Sequence, residues 1–544
     1  MGSRTSAAGL HAVRVRWLVP SAADLFFVAM LGTLVLTGLS VRLLGDAGIG
    51  WHIRTGQMIL ATHAVPRVDP FSTLSGHPWF AWEWLYEVIV GWLEKTAGLN
   101  GVVVFTALII AAVFSWTFRL LLRRGTNILM ALILVLLAAS ASMIHFLARP
   151  HVLSWLFTVA WFWVLECTER NSTDPHLDSS NYSAQQASPK RLLWLLPALM
   201  LLWVNVHGGF LVGIILLAIY GLSAAWQWLA LKEDRFEHAL QKIEARRRVR
   251  ALAFTGILTV AATLVNPYGY KLHVHIYRYV SNRFLMDHID EFQSPNFHYV
   301  AQKCFAGLLL LTLVALVLKK REVSASRGFV LLFAVYSGLY ASRNIPVASL
   351  LLILVIGPWL SEAMDRLQQR WSARKQRVSS TPLLQRMQRT EFELRGHVWP
   401  IATILLACWI AAHDGKLGAV PLIDAQFSAK RFPVAAVDYL EKQHVTGPIA
   451  STDYWGGYLI YRLYPRVRVV VDDRHDFYGE EFLKVYLKMV HVEPGWDDFL
   501  QQHPAQYALV PKDSALANIL YETSSWRAIY NDDVGVVFVR RSAD

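Results

Sequence analysis

The residues best suited to chemistry in this chain are few, and they recur at the ends of apolar stretches. Asp46 stands just past the first of these, in Gly45-Asp46-Ala47-Gly48-Ile49-Gly50-Trp51-His52, with Arg54 close behind. An ionisable group at the edge of a bilayer is costly unless it lines water or a site. Similar groups follow: Asp69-Pro70, Trp82-Glu83-Trp84, Arg149-Pro150-His151, His207-Gly208-Gly209, Asn266-Pro267-Tyr268-Gly269, Asp290-Glu291 and Ser342-Arg343-Asn344. Carboxylates and imidazoles are the groups of acid–base chemistry. Arginines suit anions, because a guanidinium pairs two oxygens at once. Each cluster also has a purely structural reading. Asn266 to Gly269 makes a good turn, His207-Gly208-Gly209 a tight reversal, and Trp82-Glu83-Trp84 or the arginines an interfacial anchor. No Gly-rich phosphate loop occurs, and His273-x-His275 alone does not make a metal site.

The elements that must position these residues are membrane helices. Of 544 residues, 54% are hydrophobic and only 17% charged, where soluble proteins carry about 25% charged residues. Apolar runs long enough to span lie near 22–43, 100–118, 127–147, 152–167, 192–206, 210–229, 251–266, 303–318, 328–342, 345–361 and 399–413. The fold class expected is therefore an α-helical polytopic membrane protein of about eleven transmembrane helices. The first run is too long for a signal-peptide core and reads as an uncleaved anchor. The segment 79–96 carries Glu83, Glu87 and Glu94 and reads as an amphipathic helix on the outer surface.

Charge gives orientation. Residues 1–412 hold 38 Lys and Arg against 22 Asp and Glu, a net of +16; residues 413–544 hold 14 against 18, a net of −4. The basic excess thus belongs to the membrane part and does not argue for nucleic acid. With Arg4, Arg14 and Arg16 cytoplasmic, the alternate loops 119–126, 168–191, 230–250, 319–327 and 362–398 are the basic ones, and Arg235, Arg321 and Arg377 fall in them. Ser172 to Ser188 reads as a polar cytoplasmic loop. The first external loop, 44–99, then faces outward with all the clusters above. From about 413 the pattern changes. Short β-rich runs (448–450, 467–471, 507–510, 534–539) alternate with helical ones (434–443, 458–463, 480–490, 515–521), so 413–544 reads as an extracytoplasmic α/β domain on a transmembrane domain of residues 1–412. Cys167, Cys304 and Cys408 form no disulfide or zinc pattern.

In order and placement these motifs resemble the GT-C superfamily of integral-membrane glycosyltransferases, such as the protein O-mannosyltransferases and the lipid A aminoarabinose transferase. They are most similar to uncharacterised bacterial members. The resemblance rests on Asp46…Trp51-His52, Asp69-Pro70-Phe71-Ser72, Asn205-Val206-His207-Gly208-Gly209, Asn266 to Gly269, and Val471-Asp472-Asp473-Arg474, and it covers nearly the whole chain. It implies a multi-pass protein of the cell inner (plasma) membrane. The enzyme would move a sugar from a polyprenyl phosphate to a glycan, lipid or protein acceptor on the extracytoplasmic face.

The superfamily's first-loop acid acts as general base or orients the acceptor, which falls on Asp46, with His52 in reserve. Arg149, Arg343 and Arg54 would bind the donor phosphate. Trp51, Asp69, Glu83, His151, His207, Asn266, Tyr268 and Glu291 would contact substrate, and a single displacement would invert the anomeric centre. One departure stands out. The second acid that characterised members often carry in the second outer loop is missing, since 146–151 offers Arg149 instead, so either Glu83, Asp69 or Glu291 substitutes or the chemistry differs. No cofactor is certain from the sequence; a divalent metal stays open, although no ligand spacing supports it. A transporter or a non-catalytic envelope scaffold on the same fold are the rival readings. Tyr454-Trp455-Gly456-Gly457-Tyr458 suits either a sugar platform or a small core.

Overall fold

Apolar runs separated by short polar links fold into a helical bundle, on which a small mixed sheet is seated. The computed structural model describes residues 18–170, 189–232, 236–320, 322–375, 387, 390–394 and 396–541. The loop 172–188 and Arg4, Arg14, Arg16, Arg235, Arg321 and Arg377 lie outside the described residues. Helices of eight or more residues are α1 Ala22–Leu36, α2 Gly48–Thr62, α3 Trp84–Arg123, α4 Ile128–Ser142, α5 His151–Arg170, α6 Leu195–Trp203, α7 Phe210–Ala230, α8 Phe236–Ala262, α9 Tyr270–Ser281, α10 Val300–Leu318, α11 Ala325–Tyr340, α12 Ile345–Lys375, α13 Val398–Ala412, α14 Val434–Lys442, α15 Asp453–Leu463, α16 His475–His491 and α17 Ala515–Glu522.

All eleven apolar runs are helical. Among the described residues six helices (α3, α4, α5, α7, α10 and α12) are long and apolar enough to cross a membrane, and α1, α11 and α13 are shorter apolar helices. The other two runs fall in α6, only nine residues long, and in the C-terminal half of α8, whose N-terminal half carries Arg246, Arg247, Arg248 and Arg250. Local signals set the ends. α1 starts with a capping box between Ser21 and Asp24, and Asn127 caps α4 by accepting from Met130 N–H at 2.9 Å.

Within the segment 79–96, residues from Trp84 to Thr96 form a helix of their own. Non-helical backbone at Ala97 and Gly98, the glycine at φ 59°, breaks α3 into this helix and the span that follows. The first of these two helices packs on α2 through Gly56 and Gly91, where any Cβ would strike the facing backbone.

The C-terminal sheet has the order β3-β4-β6-β5, with β3 Ile449–Ser451, β4 Tyr507–Pro511, β5 Trp526–Asn531 and β6 Gly535–Arg540; β1 Lys416–Leu417 and β2 Val420–Pro421 form a separate hairpin. β3 and β4 are parallel and the other pairs antiparallel. Strand β5 was not among the expected runs. The run 467–471 is only strand-like, because its partners are single residues on both sides. Val470 N–H donates to Ile449 C=O at 2.9 Å. On the other side Thr73 N–H donates to Val469 C=O at 2.9 Å and Val469 N–H to Phe71 C=O at 3.3 Å. Residues 71–73, in the loop after α2, therefore extend the edge of the C-terminal sheet.

Two further contacts fix that docking. α15 packs on α2 at Gly50 and Gly457, each of which lies against the backbone of the other helix with no room for a Cβ. Beside it, Arg474 is 2% exposed. It binds Asp472 through Nε and Nη2 at 2.8 and 2.7 Å and Asp69 through Nη1 at 2.8 Å. The rings of Trp79, Phe477, Phe71 and Trp51 surround it at 4.7 to 6.0 Å. Removing one member of a buried ion cluster strands the others and costs about 3–5 kcal/mol. Arg474→Met is therefore expected to lower stability by that amount and to expose the first loop to protease, measured by thermal unfolding and limited proteolysis in detergent.

Candidate active site

Asp46 follows a short helix, Leu39–Leu43, whose last carbonyl accepts from Ala148 N–H at 2.7 Å. That hydrogen bond brings the 146–150 turn, and with it Arg149, beside Asp46. Arg149 Nη2 lies 3.0 Å from Asp46 Oδ1 and in tight contact with Asp473 Oδ2. Asp473 is the residue before Arg474, so the buried cluster that docks the C-terminal sheet also delivers this second carboxylate. Its Oδ1 accepts from Trp51 Nε1–H at 2.9 Å, and Asp46 Oδ1 accepts from Gly48 N–H at 2.7 Å. Gly48 lies so close to all three that any side chain there would run into Arg149 and Asp473. Asp46 and Arg149 keep 27% and 22% of their side-chain surface, so the pair stays accessible.

Burial, with Asp46 and Asp472 nearby, pushes the Asp473 carboxyl up to about 7 against the pull of Arg149. Burial works against the charge on Arg149, but Asp46 and Asp473 outweigh it and raise its pKa.

A second group lies within electrostatic reach. Glu83, at the start of α3, has Oε2 3.7 Å from His52 Nε2 and Oε1 3.8 Å from His207 Nε2. Burial pushes it up to about 8, against Arg149 and Arg343. His207 has a defined tautomer. Trp203 Nε1–H donates to Ser154 Oγ at 2.7 Å, Ser154 Oγ–H donates to His207 Nδ1 at 2.8 Å, and Gly209 N–H also donates to Nδ1 at 3.0 Å. Burial, helped by Arg343 and Arg149, brings His207 down to about 3, so it is neutral with its proton on Nε2, toward Glu83. Glu291 lies 3.4 Å from Arg343, whose guanidinium also covers Phe292 at 4.4 Å. Burial would raise Glu291, but Arg343 and Arg149 hold it at about 2.

The other expected residues take different places. His52 is 1% exposed, between Glu83 and Glu87, which stands 3.5 Å from its Nδ1. Burial and Arg149 hold its pKa well below the usual range. It is walled off from any acceptor, so it is no reserve base at the surface. Arg54 donates from Nε to Tyr461 C=O at 2.9 Å and from Nη1 to Gln57 at 3.0 Å, and so joins α2 to α15 rather than the site. Asp69 is 1% exposed, saturated by Arg474, Ser72 Oγ at 2.5 Å and the Phe71 and Ser72 N–H groups; it docks the loop. Asn266 closes its own turn to Thr263, Tyr268 and Gly269. The Tyr268 hydroxyl is spent on Pro66 C=O and Ala81 N–H. His151 Nε2 pairs with His145 C=O at 2.8 Å, behind His207. His273 pairs with Thr263 and His275 with Asp476, so they share no ligand. Trp455 and Tyr458 are buried core, not a sugar platform. Asp473 stood in the sequence only as part of Val471-Asp472-Asp473-Arg474 and was given no role in the site. Only its place beside Asp472 and Arg474, in a run too polar for a small core, marked it.

Helical bundle, composite loop and seated sheet together match solved structures. The Archaeoglobus fulgidus oligosaccharyltransferase in its apo form aligns over 100% of this chain and 76% of its own, with a TM-score of 0.54 at 11% identity. The same protein tethered to an acceptor peptide containing the NVT sequon gives 0.52 at 12%, over 99% of this chain and 74% of its own. Its complex with Zn and sulfate gives 0.50 at 12%, over 90% and 68%. This is the GT-C fold. No family model and no curated protein sequence matches the chain. The GT-C bundle supplies Asp46 and Arg149, and the C-terminal sheet of this chain supplies Asp473.

Glu83 and Asp473 give the protein a stability that depends on pH. A carboxyl whose folded pKa is raised contributes fully below its unfolded pKa and loses that contribution as pH rises through the folded value. The Glu83 contribution is thus expected to fall between about pH 4.5 and 8, by up to a few kcal/mol, superposed on a rise up to about pH 6.5 from the buried neutral His52 and His207. Glu83→Gln should flatten that fall in a pH series of thermal unfolding; an unchanged slope would remove Glu83 as its source.

Proposed function

We propose that the chain is a membrane glycosyltransferase that moves a sugar from a polyprenyl-phosphate donor to an acceptor hydroxyl on the extracytoplasmic face, with inversion at the anomeric carbon. The observation that carries this is the accessible Asp46–Arg149–Asp473 cluster at the junction of membrane bundle and C-terminal sheet. The acceptor oxygen attacks the anomeric carbon, and the bond from that carbon to the phosphate oxygen breaks. Polyprenyl phosphate leaves with the electron pair, and the acceptor proton passes to Asp46. The developing phosphate charge is met by Arg149, whose buried Nε–H has no hydrogen-bond partner among the described residues, and by Arg343. Glu83, protonated at neutral pH, and the Nε2–H of His207 are donors suited to sugar hydroxyls. The acceptor is a glycan, lipid or peptide; the archaeal protein of the same fold takes a peptide.

Zinc in one structure of that protein raises the question of a divalent ion here. The residues do not fit one. Among the described residues no group of three or more His, Cys, Asp or Glu side chains could hold a metal. The facing oxygens of Asp46 and Asp473 are both occupied by Arg149. No step is routed through a metal.

General-base assistance is worth about 10²–10⁴-fold. Asp46→Asn is therefore expected to reduce sugar transfer at least about 100-fold while leaving expression intact. The readout is mass spectrometry of envelope glycans and lipid-linked sugars in a deletion strain complemented with wild type or variant. Near wild-type product from Asp46→Asn would remove Asp46 from the chemistry, and an unchanged glycan profile in the deletion strain would remove the transferase reading.

A further inference from the structure

We infer that the guanidinium of Arg149 is the built-in cation of the acidic pair: it stands between Asp46 and Asp473 where a divalent ion would stand, and it keeps metal ions out. What the pair is used for rests on the transferase reading above; the position of the cation does not.

Two carboxylates brought face to face repel unless a cation lies between them. Here Arg149 Nη2 touches both, at 3.0 Å from Asp46 Oδ1 and in tight contact with Asp473 Oδ2. Neutral donors cover further positions, Gly48 N–H on Asp46 Oδ1 and Trp51 Nε1–H on Asp473 Oδ1. The backbone of Gly48 closes against the same three side chains. Mg²⁺ or Mn²⁺ would need a near-octahedral shell of oxygens, usually with waters, and would have to displace the guanidinium to get it.

The fold holds Arg149 against that displacement. The Ala148 N–H bond to Leu43 and Pro150 at the start of α5 fix the turn that carries it. A guanidinium is charged at every accessible pH and cannot be chelated. It also keeps N–H groups for a third, anionic oxygen, and Nε–H is unpartnered. It can therefore join an acid pair to a phosphate, as a metal bridge does, without metal supply.

The test uses the full chain in detergent, with thermal unfolding and Mn²⁺ binding by electron paramagnetic resonance as readouts that need no substrate. Wild type is expected to bind no Mn²⁺ at the pair and to unfold at the same temperature with millimolar Mn²⁺ or with EDTA. Arg149→Ala leaves two facing carboxylates without a cation. It should gain a single Mn²⁺ site and a stabilisation by Mn²⁺ of several degrees, abolished by adding Asp473→Asn. Arg149→Gln, which keeps volume and hydrogen bonding, serves if Arg149→Ala does not fold, and Arg149→Lys should stay indifferent to metal.

Mn²⁺ stabilising wild type, with the effect lost in Asp473→Asn, would overturn the inference. So would an Arg149→Ala and Arg149→Gln pair that both ignore Mn²⁺, because the acids would then not form a cation site. Sugar transfer by wild-type membranes is expected to survive EDTA. Loss of transfer on chelation with recovery on added Mn²⁺ overturns the inference, whereas a deletion strain with unchanged glycans overturns only the transferase reading.

Discussion

Arg474 is a full positive charge almost without contact with water, held between Asp472 and Asp69 and ringed by four aromatic side chains. Burial on this scale is unfavourable for any of the three ions alone, so the cluster forms only when all are present. Asp69 belongs to the first external loop and Asp472 to the C-terminal sheet. Their meeting on one guanidinium therefore fixes how these two parts dock. The sheet-edge bonds from Phe71 and Thr73 to Val469, and the Gly50–Gly457 contact, add shape to the same junction.

The candidate site is a consequence of that docking. Asp473 is next in the chain after Asp472, and once Asp472 is fixed it can only face the opening where Asp46 and Arg149 lie. Under the proposed function, the turn 146–150 offers an arginine and the second acid, Asp473, comes from a different part of the chain. On that reading the C-terminal part is a component of the site and not a lid over it. Its aromatic motif around Trp455 is consumed in the packing that holds it there.

Charge placement divides the candidate site into two regions. In one, the guanidinium of Arg149 holds two carboxylates whose remaining surface stays accessible. In the other, burial leaves Glu83 protonated and His207 neutral near neutral pH, so that region presents hydrogen-bond donors without net charge.

The sequence by itself determined the class of the protein. Apolar runs of spanning length can be stable only as helices in lipid, because every backbone group must be satisfied within its own segment. All eleven runs are helical for that reason. Alternation of short strand and helix runs after residue 413 was equally local, and β3, β4, β6, α14 and α17 fall where it put them. Asp46 and Arg149 were legible because an ionisable group at the end of an apolar run is conspicuous. Whether such a group lines the site or ties the frame was not legible. Asp69 and Arg54 looked like site residues and are structural, while Asp473 looked like one acid among several. That difference is decided by which group about 400 residues away takes up each charge, a long-range pairing that no spacing along the chain encodes. Only the tertiary structure, by docking the sheet on the first loop, decided it.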